Sequence, residues 1–234
     1  MKKKLYILIL CCLSTACDRT ENAEILEGVF FGRSQGNRAQ SEYERMEPNA
    51  SVYSQEFSDS NNCEGWTIGT DQYGMRGVEN GQYFIQAKTG FYSWRNFEID
   101  DTHDFQIEVY MACNFMQGGT SLGLVFGVNP DEKSYGAVLF DDNSSFYIGF
   151  YTGSKWEAWH NMKTTPYTEM AYRNAFHLYT IRKVGNKMSF FLDKKFLCST
   201  DYMGKLSNIG FSLSKNGIIG VDYIHVNYIK TREL

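Results

Sequence analysis

Carboxylates at alternating positions could catalyse hydrolysis, and the segment Glu98-Ile99-Asp100-Asp101-Thr102-His103 comes near that spacing. On an extended strand, Glu98 and Asp100 would point to the same face. Glycoside hydrolysis needs two carboxyl groups about 5 to 9.5 Å apart, which a regular strand would have to hold in fixed positions. The pattern breaks at Thr102 and His103, and the Asp-Asp-Thr sequence is typical of a solvated turn. We therefore interpret the segment as a turn and assign no catalytic residue.

A second group of acids lies on the strand that follows. Asp104 and Glu108, with Gln106 between them, alternate with apolar residues that start at Phe105. Their side chains are predicted to lie opposite the core, where a solvent-facing row explains them as well as an active site does. Triad and phosphate-loop signatures are absent from the sequence. Acids gathered from separate strands could still form an active site.

Tryptophans beside amides and carboxylates could bind sugars, because pyranose rings present apolar C–H faces that stack on aromatic rings. In Lys155-Trp156-Glu157-Ala158-Trp159-His160-Asn161, strand alternation places the two tryptophans on opposite faces, so one is core at most. Trp159 with Glu157 and Asn161 is the first candidate sugar platform.

The other tryptophans differ in their surroundings. Trp94, with Arg95 and Asn96, is a second candidate platform, and Trp66 is predicted to pack in the core. Most of the 17 phenylalanines must also be core.

Metal and cofactor sites have little support. The four histidines are scattered and none has a ligand spacing with a cysteine. Asp141-Asp142-Asn143 could ligate calcium through hard oxygens, but a turn rich in Asp and Asn needs no metal. We predict no cofactor.

The N-terminus has the pattern of an export signal. Met1-Lys2-Lys3-Lys4 precedes an apolar run that ends in small residues, too short for a membrane helix of ~20 apolar residues. Cys11 and Cys12 would be removed with residues 1–16, and Cys17 would start the mature chain.

The sequence around this position, Ser14-Thr15-Ala16-Cys17, resembles the lipobox of bacterial lipoproteins. Ser14 replaces the usual leucine, a looser form similar to that of Bacteroidetes-type lipoproteins. The resemblance implies an acylated Cys17; ordinary secretory cleavage that leaves a free thiol is the alternative. Two or three acyl chains at ~0.8 kcal/mol per buried methylene form a stable anchor. We expect a lipid-anchored protein of the bacterial cell envelope, at the outer membrane or the cell surface.

Removal of the signal makes the chain more acidic. Of 23 Lys and Arg, three leave, so the mature chain has 20 against 27 Asp and Glu, a net charge of about −7. An acidic chain without a basic cluster is not expected to bind nucleic acid or a membrane through a polybasic patch. Cys63, Cys113 and Cys198 remain, either with one disulfide or as three buried thiols.

The mature chain changes character at residue 51. Residues 17–50 are mostly polar and charged, as in a tether, although SEYERM could form a turn of helix. In residues 51–234, short runs of period-two alternation recur about every ten residues, separated by turn pairs such as Asn80-Gly81 and Asn216-Gly217. This pattern predicts an all-β domain of two antiparallel sheets.

A resemblance supports that fold. The succession FSDSNNCEGW, GVENGQYFI, FYSWRNFEIDDTHDFQIEVYM, GLVFGVNPDEKSYGAVLF, FYIGFYTGSKWEAWHN, HLYTIRKVGNKMSFFLDKKFL, GKLSNIGFSL and GVDYIHV resembles the concanavalin A-like jelly-roll superfamily. It is more closely similar to the laminin G-like and 3-keto-disaccharide hydrolase-type domains of bacterial surface lipoproteins. The resemblance implies a jelly roll with carbohydrate ligands and a structural role for Trp156. The E-x-D-x-x-E strand of its glucanase branch is incomplete here.

Three hypotheses follow from the sequence. The first is a membrane-anchored lipoprotein with a lectin-like domain that binds carbohydrate without catalysis. The second is a glycoside hydrolase-type enzyme of the same fold, and the third is a structural or protein-docking surface lipoprotein. Exposure of the aromatic side chains beside Asn and Glu would separate the first hypothesis from the third.

Overall fold

A computed structural model describes residues 36–59, 63, 65–115, 121–141, 145–163, 175–202, 204 and 206–232. The chain divides into two compact units, residues 1–38 and 39–234, and all the described strands belong to the second. Residues 36–45 are helical, and no described helix has the length and apolar character needed to cross a membrane.

Fifteen strands follow the helix in the described residues. They are β1 Met46–Gln55, β2 Gly69–Thr70, β3 Gly74–Glu79, β4 Gln82–Ala87, β5 Phe91–Asn96, β6 Phe105–Phe115, β7 Ser121–Asn129, β8 Ser134–Asp141, β9 Ser145–Tyr151, β10 Trp156–Lys163, β11 His177–Val184, β12 Lys187–Leu192, β13 Lys195–Asp201, β14 Asn208–Leu213 and β15 Gly217–Thr231.

The strands form two sheets. The nine-stranded sheet has the order β13-β12-β11-β6-β15-β4-β3-β2, with β1 paired to β15, and the six-stranded sheet has the order β10-β9-β8-β7-β14-β5. The paired strands are antiparallel. The turn residues Asn80, Gly81, Gly185 and Asn216 have positive φ, as expected for Asn and Gly in hairpin turns. The predicted two-sheet antiparallel sandwich is confirmed.

The core lies between the two sheets and follows the predicted alternation. Phe105, Ile107 and other apolar residues of β6 are fully buried. The rings of Phe140 and Tyr179, from different sheets, make an edge contact with centroids 5.7 Å apart. Residues that alternate with these core positions therefore face outward on each sheet.

The helix covers part of the outer face of the nine-stranded sheet. The Tyr43 ring lies 4.5 Å from that of Phe191, and the Arg182 guanidinium lies 4.1 Å from the centroid of Tyr43. Gln40 Oε1 accepts a hydrogen bond of 3.0 Å from the backbone N–H of Phe196. The helix and the start of β1 thus fall within residues 17–50, the predicted tether. Residues 1–35, including the predicted signal and Cys17, lie outside the described part of the chain.

This cover changes the environment of the acids on β6. Gln106 is only 2% exposed and accepts a hydrogen bond from Arg182 Nη2. The interpretation of Asp104, Gln106 and Glu108 as a solvent-facing row is therefore wrong for Gln106. Burial raises the pKa of Glu108, and the electrostatic effects of nearby His225, Arg182 and Lys194 offset this only in part.

Replacing Glu108 with glutamine is expected to stabilise the fold at pH 7. A raised folded-state pKa means that the acid contributes most to stability below its unfolded pKa of about 4.3, and that this contribution is lost as the pH rises through the folded pKa. Urea unfolding of the Glu108→Gln variant should show its advantage at pH 7 and less at pH 4. Glu79→Gln, at an exposed turn, is the control. Lower stability of the Glu108 variant at pH 7 would contradict the expectation.

The three cysteines of the folded unit are free and buried. Burial raises the pKa of the thiols of Cys113 and Cys198 to about 12. Because the thiolate is the reactive form, these two are inert at neutral pH. Of the two alternatives that the sequence left open, the structure contains three buried thiols.

Candidate functional site

The acids closest to a hydrolase spacing lie in a turn between β5 and β6. Asp100 Oδ1 accepts hydrogen bonds from the Thr102 backbone N–H at 3.0 Å and from the Thr102 hydroxyl at 2.6 Å. Glu98 and Asp100 are both exposed. The interpretation of this segment as a solvated turn is confirmed.

On the outer face of the six-stranded sheet, the strand residues whose side chains the structure describes are uncharged. Phe126 and Ile148 point into the core, so the residues that alternate with such positions face outward. Those with described side chains are aromatic, aliphatic, small or amide-bearing: Tyr92, Trp94, Asn96, Gly123, Val125, Tyr135, Ala137, Leu139, Tyr147, Gly149, Tyr151, Trp156, Ala158, Asn208, Gly210 and Ser212. Asp141 and Lys163 share this face by register, but their side chains lie outside the described part of the chain. A carboxylate pair for hydrolysis is thus absent from these described residues.

Four aromatic side chains on this face, Tyr92, Trp94, Tyr135 and Tyr151, form what we call the tyrosine patch. The Tyr92 and Tyr135 rings meet with centroids 5.1 Å apart and hydroxyls 2.8 Å apart. Strands β14 and β7 lie between their strands, so both side chains must reach across the sheet. Tyr151 continues the group, 5.4 Å from Tyr135.

The tyrosine patch lines a cavity of about 290 Å³ together with residues of the β7–β8 turn. Asn129, Lys133 and Ser134 provide its polar rim. Burial, followed by the neighbouring Tyr92 hydroxyl, raises the pKa of Tyr135. The phenol is therefore a neutral hydrogen-bonding group at neutral pH, next to apolar ring surface.

Glycines allow the large rings to pack on this face. A Cβ at Gly210 would lie 2.6 Å from Cβ of Trp94, and one at Gly149 would lie 2.7 Å from Cζ2 of Trp156. Such distances are sterically forbidden, so both positions require glycine. The absence of side chains at these two glycines thus leaves room for Trp94 and Trp156 on the outer face of the sheet.

The two tryptophans of β10 lie on opposite faces, but the predicted assignment of faces was wrong. Trp156 lies on the outer face over Gly149. Trp159 points inward, with ring centroids 6.1 Å from Phe190 of the other sheet and 6.5 Å from Phe126. Alternation correctly predicts that Trp156 and Trp159 lie on opposite faces of the sheet. It does not show which of the two faces can accommodate which indole ring. Here Gly149 leaves space outside for Trp156.

Trp159 lines a second cavity at the mouth between the sheets, which we call the inter-sheet cleft. It has a volume of about 510 Å³ and includes Phe126, Phe150, Met188 and Leu206 among its apolar lining residues. Trp159 is half-buried, so part of its ring remains accessible from this cleft.

The structure does not bring the predicted site residues together. Trp94 lies in the tyrosine patch and Trp159 in the inter-sheet cleft, while Asn96 is exposed at the end of β5. Glu157 is exposed and pairs with Lys155 Nζ at 2.8 Å. The side chain of Asn161 lies outside the described residues.

Sequence reasoning missed Tyr92, Tyr135 and Tyr151. Each of these tyrosines occupies a position whose side chain faces outward by strand alternation. Their contact with one another depends on the order of the strands in the sheet, which alternation does not reveal. Among the described residues, no three His, Cys, Asp or Glu side chains are placed to hold a metal ion. The side chains of Asp141-Asp142-Asn143, considered for calcium, lie outside that part of the chain.

Comparison with known proteins identifies the fold. An endo-β-1,3-glucanase from Pyrococcus furiosus is 12% identical, with a TM-score of 0.56 over 78% of this chain and 95% of that chain. The CBM2 module of the evolved Dit of Lactobacillus casei phage J-1 is 14% identical, with a TM-score of 0.54 over 80% and 99%. A laminarinase catalytic domain from Thermotoga petrophila is 15% identical, with a TM-score of 0.52 over 80% and 100%.

These similarities confirm the concanavalin A-like jelly roll predicted from the sequence. No protein-family model matches the sequence, and no curated protein matches it. At identities this low, a shared fold does not transfer an activity. The function must therefore be argued from the site itself.

Proposed function

We propose that the protein is a lipid-anchored, lectin-like protein that binds carbohydrate at the tyrosine patch without catalysis. The observation that carries this proposal is a group of aromatic rings on an outer sheet face whose described strand side chains are uncharged. Ring faces can stack on the C–H surfaces of a sugar. The Tyr135 hydroxyl and the polar groups of Asn129 and Ser134 can reach its hydroxyl groups.

The chemistry of the face favours binding over hydrolysis. A glycosidase requires two carboxyl groups close to the scissile bond, and the described strand side chains of this face provide none. The structurally similar proteins are described as glucanases and as a carbohydrate-binding module, which supports a sugar ligand for this fold. The glycoside hydrolase alternative therefore ranks second and the protein-docking alternative third.

A glycan array probed with the purified full-length protein tests the proposal. Trp94→Ala should lower the affinity for the glycan that binds by roughly tenfold or more, as expected for an aromatic anchor. Tyr73→Ala is the matched control, because Tyr73 is 46% exposed and does not line the patch. Equal loss in both variants, or no glycan bound by the unaltered protein, would contradict the proposal.

We also propose that Cys17 carries the lipid and that the protein lies at the bacterial outer membrane or cell surface. The resemblance of residues 14–17 to a lipobox and the short apolar run before them support this proposal. The acidic mature chain is consistent with attachment through acyl chains, since it offers no basic cluster to anionic lipids.

A further inference from the structure

We propose that the inter-sheet cleft binds a small organic cation, an ammonium group on an apolar frame. The cleft and the cavity of the tyrosine patch share Val128, Asn129, Pro130 and Ser134 in their linings, but Trp159 and Glu132 line the cleft alone. The inference therefore does not depend on carbohydrate binding.

Aromatic rings form one wall of the cleft. Trp159 stacks against Phe150 with centroids 6.3 Å apart, and Phe126 lies 6.5 Å from Trp159. The face of an aromatic ring carries partial negative charge and attracts cations, most strongly for tryptophan. A cation within this wall would contact several such rings at once.

A carboxylate gives the cleft its charge. Glu132 is the one charged side chain among the described residues that line it. Ser134, only 5% exposed, donates a hydrogen bond of 3.4 Å to Glu132 Oε2, and Asn129 Oδ1 accepts one of 3.3 Å from the Glu132 backbone N–H. The β7–β8 turn thus places an exposed acid in the lining of the same cleft as the aromatic rings. Charge complementarity therefore favours a cationic ligand over an anionic one.

The remaining lining sets the shape of the ligand. Met188, Leu206 and Pro130 are apolar, and the volume of about 510 Å³ suits a small molecule. A strongly hydrated inorganic ion would gain little from such walls, whereas a quaternary ammonium carries its charge on methyl groups that pack against them. We therefore expect an alkylated ammonium to bind better than a metal ion.

Calorimetric titration of the full-length protein with choline tests the inference. The matched ligand is 3,3-dimethylbutan-1-ol, which has the same shape without the charge. Choline should bind at least about tenfold more tightly, the ratio expected for a cation within an aromatic wall beside an acid. Equal affinities would show that the charge of the ligand does not contribute to binding. Absence of choline binding would show that the cleft is not a site for organic cations. Either result would overturn the proposal.

Two variants locate the binding. Glu132→Gln, which preserves the size of the side chain, and Trp159→Phe, which preserves an aromatic ring but reduces its surface, should each weaken choline binding by roughly five- to tenfold. Glu157→Gln removes a nearby acid that does not line the cleft, and should leave choline affinity unchanged. Thermal melting of each variant verifies that it folds. Unchanged affinity in a folded Glu132→Gln variant would refute the assigned role of the carboxylate.

Discussion

Replacement of Cys17 with serine should shift the protein out of the membrane fraction, or leave it as unprocessed precursor. The hydroxyl of serine cannot form the diacylglyceryl thioether, so the acyl chains that hold the protein at the surface would be missing. Each buried methylene contributes ~0.8 kcal/mol, and losing two or three chains removes attachment almost entirely. Fractionation followed by immunoblotting measures the result.

Cys12→Ser provides the control for this experiment. Cys12 lies in the apolar run that the signal peptidase would remove, so its replacement should leave attachment intact. If the Cys17 variant remained in the membrane fraction at its processed size, the lipoprotein proposal would be wrong. Metabolic labelling with a fatty acid gives an independent readout.

Truncation of Trp66 to alanine should cost ~3 to 5 kcal/mol of unfolding free energy, the range for large aromatic residues in a packed core. Trp66 is 6% exposed and lies between the sheets, with ring centroids 5.6 Å from Tyr83 and 5.5 Å from Phe211. Its Nε1 donates a hydrogen bond of 2.9 Å to the Tyr53 hydroxyl. Urea denaturation of the full-length protein measures the loss.

Tyr53→Phe separates the hydrogen bond from the packing. It removes the partner of Trp66 Nε1 but keeps the ring that stacks on Phe97 at 6.1 Å, so about 1 kcal/mol should be lost. A Trp66→Ala variant no less stable than Tyr53→Phe would show that the indole is not a core element. The prediction that Trp66 packs in the core already agrees with its burial.

Alternation predicted the strands whose two faces differ most in polarity. The predicted alternation that starts at Phe105 corresponds to β6, in which Phe105 and Ile107 are buried. Strand β1 was missed, and its first residues, Met46 to Ala50, fall within the predicted tether. In β1, Pro48 and the surrounding polar residues conceal the alternation, because its pairing with β15 needs backbone hydrogen bonds and no apolar stripe.

The candidate site was less predictable than the fold for a physical reason. Trp94 was selected because a tryptophan beside an asparagine is recognisable locally. Tyr92 and Tyr135 are 43 residues apart and meet only because β5 and β8 have outward faces on one sheet. Trp156 and Trp159 show the same limit, since their separation onto two faces follows from spacing while the choice of face depends on Gly149.

The pairing of β1 with β15 would have a mechanical consequence if the protein is attached at its N-terminal end, as we propose. Tension that reaches the domain from that end enters the ladder where Met46 lies beside Thr231. A pull along the strand axis loads these hydrogen bonds together in shear, whereas a sideways pull opens them one after another. Separation of β1 from β15 would also break the hydrogen bond that Trp66 Nε1 donates to the Tyr53 hydroxyl. The hydrogen bonds between β1 and β15 would therefore carry the load when flow pulls on a surface that the protein has bound.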